Sequence, residues 1–459
     1  MSQQHKSSIT STTAFFFFLT ESTTALFPIV IGIATMNMQS ATLPKFFHND
    51  LIGEIFSALP SKSVLRFRCV SKSCDTLISD STFVKLHLKK SKARDPLFTL
   101  ISQHFTHIPG ESPYGSDDET EMDYTVVPYS INSLIENTSF NLTVDPYYEL
   151  KNKGCSRIVG TCNGLICLAA DSYTHEYTQY CFCLWNPSTK KISHKFGNFS
   201  EFNFPRSADF GFAFGCDDST DIYKVVAFRY LRDQLKSEVR VLNLGDDVWR
   251  NIESFPLTPL CLSHGDNHVY LSGTINWLAI HDEYWYNVSN VKDITVDQFV
   301  IVSLDLGTET YNQYRLPPSF DEVPPARPIV GVLEDCLCFC YCYKETDFIV
   351  WQMKKFGVED SWTQFLRISY HSLQIDYDYS FEYTKYKFQL VPLLLSEDGD
   401  TLIMKCSQEH QAILYNRRCN TVERTNITTS RRTITDDRSG DHVNWEWIKN
   451  YVESLVSIF

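Results

Sequence analysis

The sequence predicts an α+β multidomain chain: a small all-α module followed by a large all-β domain. Helical periodicity at 3.6 residues is dense over residues 43–90 and returns over no later long stretch. From Gly154 onward, short apolar strands alternate with turn residues almost to the end of the 459-residue chain. A strand–turn–strand unit also recurs, marked by Asn186, Asn243, Asp305 and Asn416, at intervals of about 60 residues or twice that. Repetition on that scale points to a β-propeller.

Composition narrows the function. Apolar residues make up 43% and charged residues 21%, which excludes global disorder. Asp and Glu (55) outnumber Lys and Arg (41), a net charge of −14 that argues against a nucleic-acid partner. With 32 Phe and 24 Tyr against 18 Gly, the chain favours large buried strand faces over glycine-rich phosphate loops. The 15 cysteines are odd in number and follow no secreted disulfide framework. The thiols are therefore read as reduced, and the compartment as cytoplasm and/or nucleus. On that reading the Asn-x-Ser/Thr triplets at Asn137, Asn141, Asn198, Asn287 and Asn426 carry no weight.

At the amino terminus, residues 14–19 and 25–34 are apolar, but Thr20, Glu21, Ser22, Thr23 and Thr24 divide them. Neither run reaches the roughly 18–20 residues that a membrane span needs. The reading adopted is a dispensable, disordered leader over residues 1–38 and no membrane partner. A targeting signal or an anchor is the competing reading.

The helical module occupies residues 39–90. Asn49 is placed to cap a helix whose stripe is Leu51, Ile52, Ile55, Phe56 and Leu59, and Pro60 stops it. Ser61 is expected to cap a second helix carrying Val64, Leu65 and Phe67, with Lys62, Arg66 and Arg68 turned outward. Ser71 starts a third through Leu77 and Ile78, and Ser81 a fourth through Phe83, Val84, Leu86 and Leu88. So small a module buries little by itself, and its surplus apolar stripe points to a partner groove or helix.

Leu43-Pro44, Asp50-Leu51-Ile52, Glu54-Ile55, Leu59-Pro60 and the unbroken run through residues 62–73 resemble a plant F-box, in order and over nearly the whole module. Cys74 departs from the pattern, because members usually carry Trp there. The resemblance implies docking on a Skp-type adaptor and, through it, on cullin and RING subunits. Its adaptor-facing positions match Leu43, Pro44, Leu51, Ile52, Ile55, Leu59, Pro60, Val64, Leu65 and Val70, with Lys62 and Arg66 at a polar rim. Some of these must pack inside the module, and the stripe alone does not say which.

Residues 91–459 form the β domain, with a strand at residues 96–101 and a solvated acidic loop at 111–123. The repeat ends one strand in Asn or Asp, whose side chain can accept N–H groups of the following turn. A further unit fits Phe348-Ile349-Val350-Trp351, returning through Trp362. A sixth would draw on residues 98–101, on strands near Val126 and on residues 158–168, making six blades. The alternative is an irregular β-sandwich. No Gly-Gly or Trp-Asp pair occurs, so ordinary kelch and WD repeats do not fit. Gly160-Thr161-Cys162-Asn163-Gly164-Leu165, Leu184-Trp185-Asn186-Pro187-Ser188-Thr189, Asn276-Trp277-Leu278 and Tyr451-Val452-Glu453-Ser454-Leu455 resemble instead the kelch-like F-box-associated domain.

No phosphate loop, nucleophile elbow or His-Glu-x-x-His pair is present. Cys336, Cys338, Cys340 and Cys342 share one face of a strand with neighbours about 7 Å apart. That is too far for a common zinc ion at bond lengths of about 2.3 Å, or for a disulfide. They are read as core lining, with a metal site as the rival, and His104 and His107 as loop residues. No catalytic residue and no cofactor is expected. The resemblance implies a non-catalytic substrate-recognition subunit of an SCF-type (Skp–cullin–F-box) E3 ubiquitin ligase, with the β domain holding an unidentified protein target. The alternative is an intracellular binding protein, for a protein or a glycan, that acts without ubiquitylation.

Overall fold

The computed structural model describes residues 49–93, 97–108, 119–142, 154–155, 157–174, 176–202, 210–231, 236–246, 248–260, 268–280, 294–375, 388–407, 409, 411–429, 442–443 and 448–458. The expected leader, Leu43 and Pro44 lie outside the described residues. The chain divides into two compact units after Lys90.

The first unit holds α1 (Asn49–Ser57), α2 (Ser61–Phe67), α3 (Lys72–Ser79) and most of α4 (Ser81–Lys92). Its core is Ile52, Phe56, Val64, Cys74, Ile78 and Phe83. Phe56 stacks on Phe67 at 4.7 Å between centroids, which ties α1 to α2. The buried His87 ring lies 3.0 Å from the Leu59 carbonyl, and Lys90 reaches the carbonyl and carboxylate of Glu54, so α4 closes back on α1. Ser71 caps α3 as expected, accepting the Cys74 N–H at 3.1 Å. Two caps differ from expectation. Pro60 holds the N-cap of α2 without a side-chain bond, and Ser61 is the first, buried helical residue. Before α4 it is Asp80, one residue earlier than Ser81, that accepts the Thr82 and Phe83 N–H groups, because its carboxylate reaches both donors at 2.9 and 3.3 Å.

The second unit is a ring of six sheets. The first contains β4 (Arg157–Cys162), β5 (Leu165–Tyr173), β6 (Tyr177–Asn186) and β7 (Lys191–Ile192), with β8 (Phe196–Phe202) also on β6. The second is β9 (Gly211–Asp217), β10 (Ile222–Leu231), β11 (Lys236–Asn243) and β12 (Trp249–Asn251). The third is β13 (Thr258–Pro259), β14 (His268–Leu271), β15 (Thr274–Ile280), β16 (Phe299–Asp305) and β17 (Tyr311–Arg315). The fourth is β18 (Ile329–Leu333), β19 (Cys336–Tyr343), β20 (Asp347–Met353) and β21 (Trp362–Ser369). The fifth is β22 (Leu390–Leu395), β23 (Thr401–Cys406), β24 (Ala412–Asn416) and β25 (Thr421–Arg424).

The sixth sheet joins the two ends of this unit. β1 (Leu97–Ile108) pairs with β2 (Glu119–Ser130) and also with β27 (His442–Val443) and β28 (Asn450–Tyr451). A short helix, α5 (Ile131–Glu136), and a parallel pair of β3 (Ser139–Leu142) with β26 (Asn426–Thr429) stand beside it in the chain path.

Six apolar clusters fill the gaps between successive sheets. Phe182 and Phe212 join sheets one and two, Phe228 and Trp277 two and three, and Ile301 and Phe339 three and four. Val350 and Met404 join four and five, Leu414 lies in a cluster that Val127 and Tyr129 of the sixth pack against, and Val126 and Tyr451 pack against Ile166 of the first. Each sheet has a neighbour on both faces, so the ring is closed. The fold is a six-bladed β-propeller, not a two-sheet sandwich.

Several expectations change in detail. Residues 158–168 lie in β4 and β5 of the sheet that contains Asn186; the sixth blade is completed instead by β27 and β28. Glu119 to Asp123, expected in the acidic loop, belong to β2, because the β1–β2 ladder continues out to Ile108 opposite Glu119. His104 and His107 fall in β1 rather than in a loop. Cys338, Cys340 and Cys342 do line one buried face, against Val350 and Leu366, while Leu337, Phe339 and Tyr341 face the preceding blade.

Candidate functional site

The helical unit separates the predicted stripe into an interior and an exterior. Ile52, Leu59 and Val64 are 0%, 7% and 0% exposed and hold the bundle together. Leu51 is 47% exposed and Val70 36%, and Pro60 is open to solvent. Ile55 and Leu65 are half-buried. Leu51 and Ile55 are one turn apart on α1 and share a side of that helix. Leu65 sits on α2, and Val70 in the turn that leads to the Ser71 cap. Lys62 and Arg66 are exposed, and Arg68 donates to Asp75 at 2.7 Å, so charge flanks the apolar positions. Exposed apolar side chains on so small a bundle are suited to a partner's groove.

On the propeller, the Asn and Asp markers of the repeat end the third strand of their blades, at Asn186, Asn243, Asp305 and Asn416. Asp305 accepts the Gly307 and Thr308 N–H groups, both at 2.8 Å, and Asn416 those of Arg418 and Cys419 at 3.0 and 2.8 Å. These turns are held from within and carry their tips outward on a rigid scaffold.

Three stretches that stand far apart in the sequence meet in one place. Asn186 donates to the carbonyls of Ser454 and Val456 at 3.1 and 2.9 Å, and Ser188 meets the Tyr451 hydroxyl at 2.8 Å. Gly164, at φ +78°, leaves no room for a side chain: an added Cβ would stand 2.1 Å from that of Ser454. The Asn-Gly turn, the Trp-Asn-Pro-Ser turn and the carboxy-terminal segment therefore form a structural joint at the first blade. Sequence reading quoted all three and missed that they touch. Among the described residues, no three His, Cys, Asp or Glu side chains converge as a metal site, and no helix is long and apolar enough to cross a membrane.

One unit of the chain is a β-propeller and the other is a helical bundle with exposed apolar side chains. A model of the F-box associated beta propeller domain matches residues 119–458, and the chain belongs to that family. An F-box/kelch-repeat protein of Arabidopsis thaliana is 29% identical over 322 residues, covering 70% of this chain and 78% of that one. F-box protein CPR1 of the same plant is 28% identical over 338 residues, covering 71% and 72%.

Proposed function

We propose that the helical unit is an F-box that docks on a Skp-type adaptor, and that the propeller holds a protein target for ubiquitylation in the cytoplasm or nucleus. The chain then acts as the non-catalytic receptor of an SCF-type ligase, contributing proximity rather than bond chemistry. The observation that carries this reading is the outward set of Leu51, Ile55, Pro60, Leu65 and Val70 on a bundle whose inward set is already satisfied. Membership of the F-box associated family and the two F-box relatives support it. Leu43 and Pro44 belong to the same proposed contact, while Ile52, Leu59 and Val64 shape it from inside.

This division selects the test. Substituting Leu59 would open the core, whereas Leu51→Glu and Val70→Asp place charge on exposed positions and leave the packing alone. Each change should weaken adaptor co-purification by about tenfold or more, roughly 1.4 kcal/mol. The circular dichroism spectrum and target capture should stay unchanged. Wild-type chain that fails to bind any Skp-type adaptor, under conditions in which another plant F-box protein binds, removes the ligase reading and leaves a stand-alone binding protein.

A further inference from the structure

The fourth and fifth blades meet along a groove of about 500 Å³ whose rim is rich in arginine. β21 contributes Phe365 and Arg367, the β22–β23 turn Gly399 and Asp400, and the β24–β25 turn Arg417 and Arg418. The three guanidinium groups are held differently. Arg417 stacks on the Phe365 ring at 4.3 Å and donates to the carbonyls of Gly399 and Phe365 at 3.2 and 3.5 Å. All of these partners are neutral. Arg367 is anchored by Asp347 at 2.8 and 3.1 Å and lies over the Tyr343 ring at 4.9 Å. Arg418 has a side chain 78% exposed, with Asp400 at 3.4 Å.

A guanidinium carries five N–H donors in a planar fork that matches a carboxylate or a phosphate. Arg417 spends two of its donors on carbonyls, which fix its orientation, and among the described residues its charge meets no carboxylate. Fixing that side chain in advance lowers the entropy lost when a ligand arrives. Arg418, beside it in the same turn, is open to solvent and can swing onto a shared anion. The chain as a whole carries −14, so a local cluster of three arginines runs against the background charge.

We propose that this groove binds a single anionic group, phosphate or carboxylate, carried by a side chain of the protein target. The proposal rests on the reading of the propeller as target receptor. It gives that reading a place and a chemistry: an anionic group taken by Arg417 and Arg418, beside an Arg367 whose charge Asp347 already balances.

Inorganic phosphate tests the site without the target. The full chain is melted in increasing phosphate, with chloride added to hold ionic strength constant. Wild type should show a saturable rise in Tm. Arg418→Gln, which removes only the long, exposed contact to Asp400, should weaken the apparent affinity at least fivefold, and so should Arg417→Gln. Lys191→Gln, an exposed cation on the first blade, should respond like wild type. An acetate series at the same ionic strength separates the sources: a response to acetate as strong as to phosphate assigns a carboxylate, and a response to phosphate alone a phosphate. No saturable response to either anion, or one that survives in both arginine variants, overturns the proposal. Adaptor binding plays no part in this assay, so failure of the ligase reading and failure of the groove are separate outcomes.

Discussion

Asn186 and Asn416 occupy the same position in the repeat and do different work. Both accept turn N–H groups, Asn186 from Thr189 at 3.2 Å and Asn416 from Arg418 and Cys419. Asn186 is also fully buried, and its amide donates to two carbonyls of the carboxy-terminal segment. Alanine at 186 strips both carbonyls of that donor, at about 1–3 kcal/mol for each buried group left unsatisfied. Asn186→Ala should therefore cost about 3 kcal/mol and Asn416→Ala about 1 kcal/mol, compared as urea unfolding free energies. Equal losses would mean that only the turn matters at both sites. The turn-forming role was legible in the sequence, because an Asn or Asp at a strand end acts on residues two or three positions away. Asn243 shows the limit even there. It donates to the Asp246 carboxylate at 3.0 Å and accepts from Arg250 at 3.2 Å instead of capping its turn. The second role of Asn186 spans 268 residues, and no local pattern announces it.

At the scale of elements, neighbouring blades are also joined by charge. Glu201 on β8 and Glu238 on β11 clasp Arg229 and Arg240, with contacts of 2.5–3.1 Å and side chains 10–20% exposed. Phe210 lies under both guanidiniums at 4.4 and 5.1 Å. Burial by itself would raise the Glu238 carboxyl, but the hydrogen bond from Arg240 and the charge of Arg229 outweigh it and hold the pKa below 4.5. A depressed carboxylate contributes stability that is present above its unfolded pKa and is lost as pH falls through the folded value. Glu238→Gln should thus destabilise by about 2 kcal/mol near neutral pH, since it leaves Arg229 and Arg240 sharing one carboxylate. The difference from wild type should shrink as pH drops below 4.5, because the native carboxylate is then protonated too. A difference that stayed constant from pH 7 down to pH 3, roughly the acid end of the carboxylate range, would assign the effect to packing rather than charge. Half of this cluster could be read from a hairpin, since Arg229 and Glu238 face each other in register. Glu201 comes from the adjacent blade, and only the closed ring brings it in. The helical stripe shows the same boundary of legibility. Its period was plain, but which of Leu51, Ile52, Ile55 and Leu59 turns inward depends on where α2 and α4 pack.

At the scale of the whole molecule, the ring depends on how its ends meet. Five blades are local meanders, although spacing alone assigns residues 158–168 of the first to the wrong blade. The sixth pairs Leu97 with Tyr451 and Phe98 with Asn450, so its assembly carries the loop-closure entropy of nearly the whole domain. What holds it is a short segment after Lys449. Thr99 exchanges bonds with Lys449 at 2.9 and 3.1 Å, Thr161 donates to the Asn450 carbonyl, and Tyr451, Leu455 and Ile458 are buried. Burying three such side chains is worth about 5 kcal/mol together. That is a large share of the 5–15 kcal/mol typical of a folded domain. Removing residues 450–459 should therefore lower Tm sharply and broaden the unfolding transition. Gly164→Val should reproduce the defect with the segment intact, because its side chain would occupy the space of Ser454. The two variants then diverge in one respect. A synthetic peptide of residues 450–459, added to the truncated protein, should restore part of the lost Tm, since its seat on the first blade is still there. The same peptide should do nothing for Gly164→Val, whose seat is filled. A truncated chain that melts like wild type would show that six blades close on their apolar faces alone, with the carboxy-terminal segment as covering rather than latch.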